Sequence, residues 1–167
     1  MRTTKLILAV GIIGAMATPA SAFVWTFNDP INAGQEVPPS GSPASGTAVG
    51  TYDDITNALV INVNATGFLS ARTGAHIHFA PSGSNGGVVF DLGVAGAGDS
   101  YNNVNTNFVL DETQESNLLA RNYYVNIHTQ NNPGGSIRGQ LNPVPEPATM
   151  IALGLGSVAV LLRRKKK

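Results

Sequence analysis

Hydrophobic and polar residues alternate in short runs between Phe23 and Leu141. A period of two is typical of β-strands whose two faces meet different surroundings. Clusters rich in Gly, Asn, Pro and Ser separate these runs and supply turns. Several short strands at such spacing favour a β-sandwich or a barrel. The strand-like runs are "GTAVGTY", "ALVINVNATGF", "GAHIHFA", "GGVVFDLG", "TNFVL", "YYVNIHT" and "SIRGQL".

Three segments depart from this alternation. "DETQESNLLAR", residues 111–121, predicts one short helix, with Asp111 as its N-cap and Gln114 completing a capping box. "EVPPSGSPASG" is predicted to be a loop, because its prolines do not fit a central strand. "GVAGAGDSYNN", residues 93–103, is predicted to be a flexible loop.

Alternation assigns each side chain of a strand to one of two faces. In "AHIHF" and "YYVNIH" the polar face holds His76, His78, Tyr124, Asn126 and His128. The same reasoning places Ser136, Arg138, Gln140 and Asp91 outward, and Val88, Phe90 and Leu92 inward. All three histidines of the chain therefore fall on the polar face, which we expect to point away from the core.

The three histidines converge if their two strands are neighbours, and we then expect Arg138 and Asp91 nearby. Three neutral imidazoles and a water would form an open zinc or copper site. The pattern also fits a hydrogen-bonded polar ladder that fixes strand register. A third interpretation is a face for a ligand or partner, formed by Tyr124, Asn126, Arg138 and Asp91.

The N-terminal segment has the three parts of a secretory signal peptide. Arg2 and Lys5 precede an apolar stretch, residues 6–16, and small residues follow at 20–22. We expect signal peptidase to cleave between Ala22 and Phe23 after export through the Sec translocon. The alternative is an uncleaved anchor, although the apolar run is short for a membrane span.

The C-terminal segment combines a proline-rich hinge, 15 uncharged residues at 148–162 and a basic end, "RRKKK". A helix of that length spans about 22 Å, against a hydrocarbon core of about 30 Å. The predicted transmembrane helix is therefore marginal and suits transient anchoring in the inner membrane. The basic end would stay on the cytoplasmic side.

"VPEP", formed by Val144, Pro145, Glu146 and Pro147, precedes that apolar segment and its basic end. This order of parts resembles the PEP-CTERM sorting signal. The resemblance implies processing by an exosortase-type membrane protease in a Gram-negative bacterium that makes extracellular polysaccharide. The protein would then reach the cell surface or the extracellular space. A plain C-terminal membrane anchor is the alternative.

The charges are distributed unevenly along the 167 residues. Nine acidic residues and three arginines lie between residues 23 and 143, so this segment carries −6 and contains no lysine. Nucleic acid is therefore an improbable partner, because phosphate binding needs a basic footprint. The chain has no cysteine, which excludes disulfides, thiol catalysis and zinc sites built from cysteine.

Three separated blocks resemble the CHRD domain, a family named after chordin. They are "QEVPP" at 35–39, "AHIH" at 75–78, and "YVNIHT" at 124–129 followed by "PGGSIRGQ" at 133–140. The resemblance implies a β-sandwich and an extracellular interaction module, and it carries no catalytic residues. Phe79 stands where many members have Gly.

These observations predict an all-β, immunoglobulin-like β-sandwich with one short helix, flanked by hydrophobic targeting segments. The parts are a signal peptide at 1–22, the domain at 23–143 and the sorting signal at 144–167. The predicted function is an exported binding or structural module whose partner is an extracellular polysaccharide or a surface protein. The alternative is a zinc- or copper-binding protein or metalloenzyme that uses the three histidines. No other catalytic motif is recognised in the sequence.

Overall fold

Short antiparallel strands form most of the computed structural model, which describes residues 23–93 and 98–146. The strands are β1 (Val24–Asn32), β2 (Ser45–Asp53), β3 (Ala58–Thr66), β4 (Arg72–Phe79), β5 (Gly87–Asp91), β6 (Ser100–Val109), β7 (Tyr123–Thr129), β8 (Ile137–Gln140) and β9 (Val144–Pro145). One helix, α1 (Glu112–Leu119), connects β6 to β7, and a short 3-10 turn (Ala33–Gln35) follows β1.

The strands form one curled antiparallel sheet in the order β5-β4-β7-β8-β1-β2-β3-β6, and β9 pairs with β1. The link between β8 and β1 is a single residue pair, Arg138 with Asn32. This narrow link divides the sheet into two four-stranded halves. The edge strands of the two halves meet through Phe90 and Phe108, whose ring centroids lie 4.5 Å apart. The predicted all-β class with one helix is confirmed.

The hydrophobic core lies between the two halves of the sheet. Alternate residues of the strands point into it, as expected for strands with one buried face. Full burial of each aliphatic side chain contributes about 1.5–3 kcal/mol. The helix adds Leu118 to this core. The strand residues of the core that are fully buried include Ile31, Ala48, Tyr52, Leu59, Ile61, Val63, Ala75, Ile77, Val125, Ile127 and Ile137.

The predicted loop at residues 93–103 is wrong at its C-terminal end, because β6 begins at Ser100. Asparagines stand at several positions of this strand, so the sequence does not show the alternation of apolar and polar residues that predicts a strand. Tyr101 is buried, and its hydroxyl donates a hydrogen bond of 2.8 Å to the Leu92 carbonyl. This bond connects the start of β6 to the end of β5.

Two further differences come from local irregularities. Val88 was expected to point inward, but it is 56% exposed and lies opposite His78, because the ladder of β4 and β5 shifts register there. Strand β1 was absent from the predicted runs. It carries Asp29 on its buried face, where the carboxylate accepts hydrogen bonds from the backbone and side chain of Asn142.

Neither hydrophobic targeting segment can be compared with the structure, since both lie outside the described residues. This applies to residues 1–22, including Ala22, and to residues 147–167, including Pro147 and the predicted transmembrane helix. Within the two described ranges, no helix has both the length and the apolar character that a membrane span requires.

The predicted capping box of α1 is present. The Asp111 carboxylate accepts a hydrogen bond of 2.8 Å from the Gln114 backbone, and the Gln114 side chain accepts one from the Asp111 backbone. We expect Asp111→Ala to lower the free energy of unfolding by about 0.5–2 kcal/mol, because the Gln114 backbone N–H loses its acceptor. Urea titration measures this. Asp111→Ser, which keeps the cap, is the control, and equal losses in both variants would contradict the capping role.

Candidate metal centre

The register of β4 against β7 brings the three histidines together. His78 lies opposite Tyr124, His76 opposite Asn126, and Gly74 opposite His128. Because alternate residues share a face, the three imidazoles lie on the side of the sheet away from the core. The predicted convergence of His76, His78 and His128 therefore occurs in the structure.

The three rings form a nearly regular triangle. The centroid of His76 lies 5.6 Å from that of His78 and 5.1 Å from that of His128, and the third side is 5.6 Å. One nitrogen from each ring lies within 4.8 Å of the other two. The Nε2 atoms of His78 and His128 are 3.4 Å apart.

Backbone carbonyls fix the tautomers of two of these rings. The Nδ1 atom of His78 lies 2.9 Å from the Gly86 oxygen, and the Nδ1 atom of His128 lies 3.0 Å from the Pro133 oxygen. A carbonyl oxygen only accepts hydrogen bonds, so each Nδ1 carries the proton. In the neutral rings both Nε2 atoms then present lone pairs, and these lone pairs face the same space.

Burial favours the neutral form of both rings. It lowers the pKa of His78 and of His128, although the hydrogen bonds to Gly86 and Pro133 act in the opposite direction. Positive charge on His76 lowers both pKa values further, and the charge of Arg138 adds to this effect at His78. At neutral pH the two Nε2 atoms are therefore available as metal ligands.

Gly74 makes room for the His76 ring. A Cβ atom at this position would lie 2.7 Å from Cε1 and 3.2 Å from Nε2 of His76. The ring therefore occupies the space that a side chain opposite His128 would fill. This explains why a glycine stands in the middle of β4, where it weakens strand propensity.

The polar face points away from the core as expected, but loops cover part of it. Arg138 is 1% exposed and His78 8%, and Tyr124 and Asn126 are also buried. The Arg138 guanidinium lies 3.5 Å from the centroid of the Tyr124 ring. The Tyr124 ring also stacks on the imidazole of His78, which lies on the neighbouring strand β4. Arg138 also donates to the carbonyls of Pro81 and Ser84, which attaches the loop after β4 to this face.

Asp91 is the fourth residue of the predicted binding face, and it lies apart from the other three. Its backbone pairs with His76, but its side chain is exposed. The carboxylate accepts a hydrogen bond of 2.8 Å from the Gly93 backbone, at the turn that follows β5. The structure therefore brings Tyr124, Asn126 and Arg138 together under the loops and leaves Asp91 at the edge of the sheet.

Part of the sorting motif and of the cleavage site lies at the ends of the described chain. Val144 and Pro145 form β9, and the Glu146 backbone donates a hydrogen bond of 2.9 Å to the Val24 carbonyl. The Phe23 backbone donates one of 2.8 Å to the Asp54 carboxylate. The predicted cleavage before Phe23 stays a prediction.

Glu36 is a member of the site that the sequence did not indicate. It is buried, and both of its carboxylate oxygens accept hydrogen bonds from the Asn126 amide, at 2.9 and 3.1 Å. Burial raises its pKa from 4.5 to about 7, while the Asn126 bond and the positive charge of Arg138 oppose the rise. The only sequence signal was its place in the "QEVPP" block.

We expect Glu36 to make stability depend on pH. Because its pKa is higher in the folded state, the stability it contributes is present below about pH 4.5 and is lost as the pH rises through about 7. Across that interval the free energy of unfolding of the wild type should fall relative to Glu36→Gln. Urea titration at a series of pH values measures it, with Asp91→Asn as the control. A difference that is constant with pH would contradict the raised pKa.

Comparison with known proteins identifies two parts of the chain. The CHRD domain model matches residues 27–141, and the PEP-CTERM protein-sorting motif matches residues 143–166. No curated protein and no solved structure matches the chain. The sorting motif marks the protein for export and for processing by an exosortase-type system, to the cell surface or the extracellular space. The chain belongs to the CHRD domain family and ends in a PEP-CTERM sorting signal.

Proposed function

We propose that this exported protein is a metal-binding module of the cell surface and that it holds a zinc ion with His76, His78 and His128. One observation carries the proposal. The Nε2 atoms of His78 and His128 face each other at 3.4 Å, while a backbone carbonyl binds the Nδ1 atom of each ring.

A cation between two facing lone pairs removes their mutual repulsion. Neutral imidazoles with protonated Nδ1 atoms have no proton to share at Nε2, so the contact at 3.4 Å is not a hydrogen bond. A histidine that binds a metal through one nitrogen commonly donates its other N–H to a carbonyl, which fixes the tautomer and the ring orientation. Gly86 and Pro133 supply such carbonyls here.

The spacing favours zinc over copper(II). At metal–nitrogen bonds of about 2.0–2.1 Å, tetrahedral ligands lie about 3.3–3.4 Å apart. Neighbouring ligands of a square-planar ion would lie about 2.8–2.9 Å apart. The observed 3.4 Å agrees with the tetrahedral arrangement. Three histidines leave the fourth position to a water or a ligand, where zinc would act as a Lewis acid.

The hypothesis of a binding face for an extracellular polysaccharide or a surface protein has less support at this place. Tyr124, Asn126 and Arg138 are buried, so they offer little surface to a macromolecule. Asp91 is exposed, but its carboxylate is bonded to the turn at Gly93. A partner of that size would have to use another surface of the domain.

We expect the purified full-length protein to bind one equivalent of zinc at micromolar concentration. His78→Ala should abolish this binding, because it removes one of the two nitrogens already at tetrahedral spacing. Gly74→Ala should weaken it while keeping all three imidazoles, because the new Cβ displaces the His76 ring. Elemental analysis after dialysis and calorimetric titration measure both effects.

Gly87→Ala is the matched control for the glycine substitution, because a Cβ on that strand residue meets no atom within 4 Å. It should bind zinc as the wild type does. The proposal fails if the wild type does not bind zinc at micromolar concentration. It also fails if His78→Ala binds as tightly as the wild type.

A further inference from the structure

Two buried polar atoms of the site lack a hydrogen-bond partner, and they belong to neighbouring residues. Among the side chains of residues 23–93 and 98–146, only His76 Nδ1 and Asn126 Oδ1 are buried and unpaired. Their residues lie directly opposite each other in the ladder of β4 and β7. Buried polar groups are almost always paired, so two unpaired ones side by side indicate an interaction that forms in another state of the site.

The Asn126 amide is held in one orientation. Its Nδ2 atom donates to both oxygens of Glu36, so its Oδ1 atom must point away from that carboxylate. Gly135 permits this contact, since a Cβ there would lie 2.6 Å from Glu36 Oε1 and 2.8 Å from Asn126 Nδ2. The amide therefore presents a fixed and unused acceptor on the face that carries His76.

His76 is the one imidazole of the three that lacks an acceptor for its Nδ1 atom. His78 has the Gly86 carbonyl and His128 the Pro133 carbonyl. The short nitrogen contact of 3.4 Å joins the other two rings. His76 is therefore the ring whose orientation these hydrogen bonds leave unfixed.

We propose that Asn126 Oδ1 accepts a hydrogen bond from Nδ1–H of His76 when the ring turns its Nε2 atom toward the other two histidines. Asn126 is then a positioning residue, and Glu36 fixes its orientation. This inference rests on the proposed zinc site. It assigns to the third histidine a side-chain acceptor in the role that backbone carbonyls have for the first two.

The experiment compares two substitutions of Asn126 in the purified full-length protein. Asn126→Leu has a similar volume and no acceptor, so zinc affinity should fall about 10- to 100-fold. Asn126→Asp combined with Glu36→Gln exchanges the amide and the carboxylate, so residue 126 keeps an acceptor oxygen and a hydrogen bond to residue 36 without a pair of like charges. This double variant should bind zinc within about threefold of the wild type. Asn62→Leu is the control, because it removes an amide that bonds to the Asn105 backbone and lies on β3, in the other half of the sheet from the histidines.

Cobalt(II) as the probe metal reports ligand geometry through its visible absorption. We expect the tetrahedral bands in the wild type and in the double variant Glu36→Gln with Asn126→Asp, and weaker, shifted bands in Asn126→Leu. The inference is overturned if Asn126→Leu binds zinc as the wild type does, or if the double variant is as weak as Asn126→Leu. A wild type that binds no metal would instead refute the zinc site itself.

A separate observation concerns the start of the sorting motif, which is part of the folded sheet. Val144 pairs with Thr26 and Pro145 with Trp25, and the Glu146 backbone donates to Val24. The matched motif begins at residue 143, two residues after the matched domain ends. No free linker therefore separates the motif from the domain.

We infer that β9 must leave β1 before the sorting protease can take up the motif. Extended peptides bind by adding a strand, which uses the same backbone donors and acceptors that β9 already uses in the sheet. The two-residue strand makes few bonds, so its opening is a small local event. Folding of β1 would thereby reduce the rate of processing.

A reversible lock tests this second inference. The chain has no cysteine, so Thr26→Cys with Val144→Cys introduces a single disulfide between directly paired residues. In the native host the oxidised double variant should remain unprocessed, and added reductant should restore processing. Thr26→Cys alone is the control. Equal processing of the oxidised variant, or failure of the disulfide to form, would overturn the inference.

Discussion

The pairing of β4 with β7 is the constraint on which the site depends. A shift by one residue would move His76 and His78 away from His128 and turn one strand's apolar residues out of the core. The register is fixed from the apolar side, where Ala75 pairs with Ile127 and Ile77 with Val125. Burial of those four side chains thereby determines the geometry of the imidazoles on the opposite face.

A buried cation organises the cover of this face. Arg138 cannot lose its proton, so its burial requires acceptors and a favourable field. Carbonyls of the loop after β4, the Gln140 side chain and the Tyr124 ring provide them, and Glu36 adds a negative charge when it ionises. The loop is thus held where its Gly86 carbonyl meets His78. The same loop therefore provides acceptors for the charge of Arg138 and orients the imidazole of His78.

The sequence predicted what depends on local periodicity. Alternation assigned the three histidines to the polar face, and the spacing of Asp111 and Gln114 predicted the capping box. The prediction from periodicity failed where the alternation of polar and apolar residues is interrupted. A register shift turns Val88 outward. A buried polar residue, Asp29, interrupts the alternation in β1, and asparagines interrupt it at the start of β6. The role of Glu36 was beyond such reasoning, because its partner Asn126 is 90 residues away and only the folded chain brings them together.

The depth of the site constrains what it can bind. A polymer or a protein needs an accessible surface, whereas His78 lies beneath loops attached by Arg138 and Gln140. His76 and His128 are half-buried. Opening that cover would leave the arginine charge and the Glu36 carboxylate without their partners, which carries a large free-energy cost. An ion or a small molecule can enter without such a change. The covered part of the polar face therefore favours the proposed metal ion over a macromolecule at this site.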